Sequence, residues 1–157
     1  SGIDRIRPDR IIISPGPGSP ENPGDVGISV DVVRDLGETY PIMGICLGHQ
    51  VIGHAFGARI RQANRIMHGK VGKIIVTKRD EIFNGIPDKF NATRYHSLVI
   101  SEVRNPLEVT AISAEDNEVM AVRHRNGRIF GVQFHPESVG TPYGKAILMN
   151  FMRVKAL

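Results

Sequence analysis

In the first third of the chain apolar residues gather into short unbroken runs, whereas later they are more often interleaved with polar ones. "RIIIS" (Arg10 to Ser14) is a branched apolar run closed by "PGPGSP", which predicts a buried strand feeding a loop. "GDVGISVDVVRDLGETY" sets Val26, Val30, Val33 and Leu36 close to helical spacing. "PIMGIC" predicts a second buried strand, and "HQVIGHAFGA" a helix stopped by Gly57. Strand, helix, strand, helix with unbroken apolar strands implies a parallel sheet covered on both faces. The second half changes character. "GKIIVTK", "NATRYHSLVI", "LEVTAISAED", "EVMAVRHRNG" and "RIFGVQFHPES" predict strands, with Asn126-Gly127 as a hairpin turn, and "YGKAILMNFMRV" a closing amphipathic helix. The predicted class is α/β: a mostly parallel central sheet, helices on both faces and added antiparallel strands, in one domain over 1–157.

Composition narrows the setting. No apolar stretch approaches the roughly 20 residues of a membrane span, and no signal-peptide pattern opens the chain. A single cysteine rules out an internal disulfide, so a reducing compartment, the cytoplasm, is expected. The net charge of +4 raises nucleic acid as a partner, and Arg59, Arg61, Arg65, Lys70, Lys73, Lys78 and Arg79 form a basic stretch. Asp80 and Glu81 follow at once, however, and no aromatic residue interrupts the basics. A solvated face or a protein-partner surface is expected, with neither nucleic acid nor membrane.

The cysteine itself carries chemistry. "GICLG", Gly44 to Gly48, has the G-x-nucleophile-x-G form of a nucleophile elbow, with cysteine where hydrolases often have serine. Side chains beside such a nucleophile would collide with the neighbouring strand and helix, which explains the glycines. The turn puts sulfur at a helix N-terminus, where the dipole and free N–H groups favour thiolate. The N–H of Leu47 then points to where an oxyanion would form. A lone cysteine is more often a small buried hydrophobe, but here the strand before it and the helix after it agree with the elbow.

A cysteine nucleophile needs a base. His49 and His54 lack the HExxH arrangement, so no metal site is expected. His68, His96 and His124 each stand alone, whereas His135 ends the run "IFGVQF" and is followed by Pro136. In an extended chain Glu137 would lie on the same side as His135 and could orient its ring. "SPGPGSP" (Ser14 to Pro20) lacks the lysine of a P-loop and the G-x-G-x-x-G spacing, so no nucleotide cofactor is expected. Following a parallel strand, the loop should lie beside the elbow, where an N–H of Gly16 or Gly18 would complete an oxyanion hole.

Three motifs in order, "SPGPGSP", "GICLGHQ" and "GVQFHPES", resemble those of the class I (triad) glutamine amidotransferases over essentially the whole chain. The resemblance implies the family's flavodoxin-like fold and hydrolysis of L-glutamine to glutamate and ammonia, without cofactor or metal. Cys46 would be the nucleophile, His135 the acid and base, and Glu137 the residue holding the ring. Glutamine and oxyanion binding would fall to Gly16, Pro17, Gly18, Leu47, Gln50, Ser97 and Leu98. "ATRYHSLV" and "AISAEDNEVMAVRH" look most like the glutaminase subunits that serve chorismate-using synthases. The implied partner is a synthase large subunit, either of the anthranilate (component I) type or its aminodeoxychorismate relative. A stand-alone γ-glutamyl hydrolase and a silent regulatory subunit are the alternatives; intact Cys46, His135 and Glu137 speak against the latter.

Members of the family open with a strand, a loop with an Asn-x-Asp-Ser-Phe-like motif, a helix and a second strand. Here Ser1 lies just before what would be the third strand. A natural polypeptide longer by about one βαβ unit, 30 or more residues, is therefore expected. The 157 residues alone are expected to be aggregation-prone and inactive.

Overall fold

The computed structural model describes residues 2–157. The first half runs α1 (Gly2–Ile6), β1 (Ile11–Ile13), α2 (Pro23–Val26), α3 (Ser29–Leu36), β2 (Ile42–Ile45) and α4 (Leu47–Ala55). The second runs β3 (Arg59–Val76), a 3-10 turn at Glu81–Phe83, β4 (Lys89–Ser101), β5 (Leu107–Ser113), β6 (Val119–His124), β7 (Ile129–Val132) and α5 (Gly144–Met152). They build one seven-stranded sheet in the order β1-β2-β7-β6-β5-β3-β4. Pairing is parallel across β1, β2 and β7 and antiparallel from β7 to β4. None of the described helices is long and apolar enough to cross a membrane.

Alternation along β2 and β7 divides the core in two. Ile42 and Ile129 pack with Val33 of α3 and Val51 and Ile52 of α4. Met43, Phe130 and Val132 turn the other way, toward Ile147 and Phe151 of α5. A strand buried on both faces reads as a continuous apolar run, which is why "PIMGIC" was legible.

The structure differs from the sequence pattern in three places. The single helix expected through Val26 and Leu36 is broken, because Gly27 takes φ +53° and ends α2 before α3 starts. β3 begins at Arg59, well before "GKIIVTK", and pairs with β4 through two register shifts that erase any period-two pattern. β7 stops at Val132. Its chain then transfers from β6 to β4: the Gln133 N–H still donates to Met120 O at 2.8 Å, but that of His135 donates to Thr93 O at 2.9 Å. The basic stretch lies mostly on β3, where Arg61 pairs with Glu118, while Lys78 pairs with Glu108 and Arg79 with Asp88 just beyond it.

α4 is buried along almost its whole length, including His49. That imidazole lies so close to Gly131 that a Cβ there would come within 2.7 Å of its Nδ1, and neither ring nitrogen finds a hydrogen-bond partner. Burial pushes His49 down to about 3, and the Gly131 backbone offsets this only in part. Its folded value lies below its unfolded one, so the unfolded chain takes up the proton first. Stability should be lost as pH falls from 6.5 toward 3, by roughly 2–3 kcal/mol between pH 6.5 and 4.5 through His49 alone. Urea unfolding of His49→Leu should show a shallower acid limb than the parent protein; equal slopes would show that the imidazole is not the cause.

Candidate active site

β2 passes into α4 through one residue, Cys46, at φ +54° and ψ −103°. Positive φ is costly for a side chain with a Cβ and marks a position held by its surroundings. Those surroundings are backbone. A Cβ on Gly44 would come within 2.3 Å of the Gly48 carbonyl oxygen, and one on Gly48 within 2.2 Å of that of Ile13. Only glycine at both places lets the first turn of α4 lie directly on β1 and β2. The Cys46 N–H bonds Val132 O at 2.9 Å, and its carbonyl accepts the Gln50 N–H at 3.1 Å, so sheet and helix share the residue.

Around the thiol lies a cavity of about 150 Å³. Gly16, Pro17, Gly18, Leu47, Gln50, Ser97 and Leu98 all line it with Cys46, so the loop after β1, the start of α4 and β4 converge as the motifs implied. Asp25 holds the loop by accepting the Ser19 N–H at 3.0 Å. A larger cavity of about 660 Å³, beside Arg79, Asp80 and Arg123, shares no residue with this one. Its Arg123 is already paired with Glu81.

His135 and Glu137 do not line the 150 Å³ cavity. His135 Nδ1 lies 2.9 Å from Glu137 Oε1, across a turn closed by Ser138 N–H on His135 O rather than along an extended strand. A carboxylate can only accept, so Nδ1 carries a hydrogen. Nε2 is buried and makes no hydrogen bond. The Glu137 charge disfavours ionisation of the Cys46 thiol.

The thiol departs from the sequence reading. A helix N-terminus was expected to favour thiolate, yet burial pushes Cys46 up to about 11. The Leu47 N–H and Gln133 work in the expected direction, and the Glu137 charge works against them. Desolvation wins. The S–H instead donates to Tyr95 O at 3.5 Å, leaving Cys46 a neutral thiol near pH 7.

Four residues at the site were not singled out as site residues in the sequence. His68, Tyr95 and His96 also line the cavity. Gln133, fully buried, donates from Nε2 to Cys46 Sγ at 3.7 Å. One signal could have found it: a lone polar residue inside the apolar run before His135.

The class-I glutamine amidotransferase family matches residues 2–154. Anthranilate synthase component 2 of Saccharolobus solfataricus is 59% identical over 153 residues, covering 96% of this chain and 78% of that protein. Its namesake in Methanothermobacter thermautotrophicus is 44% identical over 156 residues, covering 98% and 78%. A solved glutamine amidotransferase from Thermotoga maritima aligns with TM-score 0.73 over 82% of this chain and 56% of that one; at 18% identity the likeness is one of fold.

A thiol held near 11 should alkylate slowly at neutral pH and about tenfold faster per pH unit, because only the thiolate attacks. Iodoacetamide labelling of Cys46 should thus be about 100-fold faster at pH 9 than at pH 7. A rate that levels off below pH 9 would contradict the burial account.

Proposed function

The chain belongs to the class-I glutamine amidotransferase family, and on that premise we propose that it is the glutaminase subunit of a synthase that converts chorismate to anthranilate. Relatives bearing the name anthranilate synthase component 2, at up to 59% identity, support the synthase. One observation carries the site: a cysteine on a positive-φ turn shares a cavity with every residue the family motifs assign to glutamine. The chain acts as a single amidotransferase domain, in the cytoplasm, beside a large subunit that uses chorismate.

In this reading Cys46 gives its proton to His135 Nε2 and attacks the side-chain carbonyl carbon of glutamine. N–H groups of Leu47 and Gly16 stabilise the oxyanion. As the intermediate collapses the C–N bond breaks, His135 protonates the leaving nitrogen, and ammonia departs from a γ-glutamyl thioester. A water deprotonated by His135 attacks that thioester, releasing glutamate and restoring the thiol. Glu137 holds the Nδ1–H so that Nε2 faces the reaction. Gly16, Pro17, Gly18, Gln50, Ser97 and Leu98 seat the substrate.

The resting geometry supports control by the partner. The S–H rests on the Tyr95 carbonyl and His135 Nε2 is unbonded, so nucleophile and base are not coupled. Tyr95, which lines the cavity, is also half exposed. A subunit docking there can move Tyr95 and release the thiol toward His135.

Cys46→Ala should abolish ammonia release from glutamine while the assembled synthase still uses free ammonia; activity within tenfold of the parent would overturn the assignment. His135→Asn should match that loss, since nucleophile and base act as a unit, and Glu137→Gln should be milder. The reverse order would remove Glu137 from its orienting role. Glutaminase activity should be weak in the lone chain and rise when the large subunit is added. Full activity without a partner would point instead to a stand-alone hydrolase.

A further inference from the structure

Behind the cavity wall runs a series of buried polar side chains whose donors and acceptors all have a determined direction. Arg94, fully buried, is held by Ser113 Oγ at 3.0 Å and Asp116 at 3.3 Å. Its Nε–H donates to His96 Nε2 at 3.1 Å. A guanidinium can only donate, so that ring nitrogen bears a lone pair and the hydrogen sits on Nδ1, 3.1 Å from Leu98 O. His96 is neutral: burial, then the charge of Arg94, push it down to about 4.

The Leu98 carbonyl also receives Gln50 Nε2 at 3.0 Å. A carbonyl can only accept, which fixes the amide of Gln50 with its nitrogen toward Leu98. The second N–H of that nitrogen goes to Gln133 Oε1 at 3.2 Å. Gln133 must therefore present oxygen to Gln50 and nitrogen to Cys46, 3.7 Å away. Its amide cannot flip without setting two donors against each other in a dry interior.

We propose that Gln133 is a positioning residue for the nucleophile, its N–H aimed by Gln50 and the Leu98 carbonyl so that it holds the sulfur and stabilises the thiolate. The inference rests on the reading of Cys46 as nucleophile. Two partners flank the thiol, and ionisation separates their effects. The Tyr95 carbonyl accepts the S–H and can only repel a thiolate, whereas the Gln133 N–H bond becomes charge-assisted and stronger.

The test reads Cys46 directly and needs no glutamine, so it is independent of whether Cys46→Ala loses glutaminase activity. As Cys46 is the only cysteine, iodoacetamide alkylation reports it alone. Gln133→Met, similar in volume but without the N–H, should slow alkylation at pH 8 about tenfold, the size expected for one hydrogen bond to a charged group. Gln50→Leu should also slow it, by freeing the amide of Gln133 to turn, and should add nothing in a Gln133→Met background. Equal alkylation of Gln133→Met and the parent across pH 7–9 would overturn the proposal, as would additive slowing in the double variant. If Gln133→Met does not fold, Gln50→Leu alone decides: a parent-like profile refutes the aiming of Gln133, and a slowed one supports it.

Discussion

The whole site depends on one close approach, the first turn of α4 lying on the backbone of β1 and β2. Gly48 faces the Ile13 carbonyl and Gly44 faces Gly48, with no room for a methyl group at either contact. That contact forces the chain to reverse within a single residue, and Cys46 takes positive φ as a result. Strain in a turn persists only where the surroundings determine it, and here a buried helix and a doubly covered strand do so. The same approach seats Val51 and Ile52 in the core shared with α3 and carries Gln50 to the cavity wall.

The rest of the site is imported from the antiparallel half of the sheet. β4 brings Tyr95 to Leu98 alongside the elbow, and the segment after β7 leaves β6 for β4 before delivering His135. The turn out of the parallel strands holds Cys46; the antiparallel strands bring Tyr95 to Leu98 and His68 to the cavity wall, and the chain beyond β7 carries His135. Electrostatics there oppose quick ionisation, because dry packing around sulfur outweighs the helix N-terminus. Neutral His49 and His96 belong to the same dry interior.

Much of this was legible because glycine and buried strands leave local marks. "GICLG" announced a turn that needs glycine on both sides of its central residue, and residues of "SPGPGSP" and "RYHSL" line one cavity with it. What escaped was non-local. β3 hides its pairing behind register shifts and exposed polar side chains, so only its apolar end read as strand. Arg94, His96 and Gln133 are polar types that ordinarily lie outside; Arg94 and Gln133 are held by partners 19 to 87 residues away, and His96 is buried beside Arg94. The thiol's protonation was misjudged for the same reason: a helix N-terminus is visible in sequence, and desolvation is not.

The shielded sulfur has a consequence beyond catalysis. Oxidants such as peroxide attack thiolate far more readily than thiol, and they must reach it. Cys46 is buried and protonated, with its hydrogen on the Tyr95 carbonyl. Packing that keeps this one sulfhydryl of the sequence protonated and covered should therefore also slow its conversion to sulfenic acid, so that a subunit without its partner ages more slowly than one with an open thiolate.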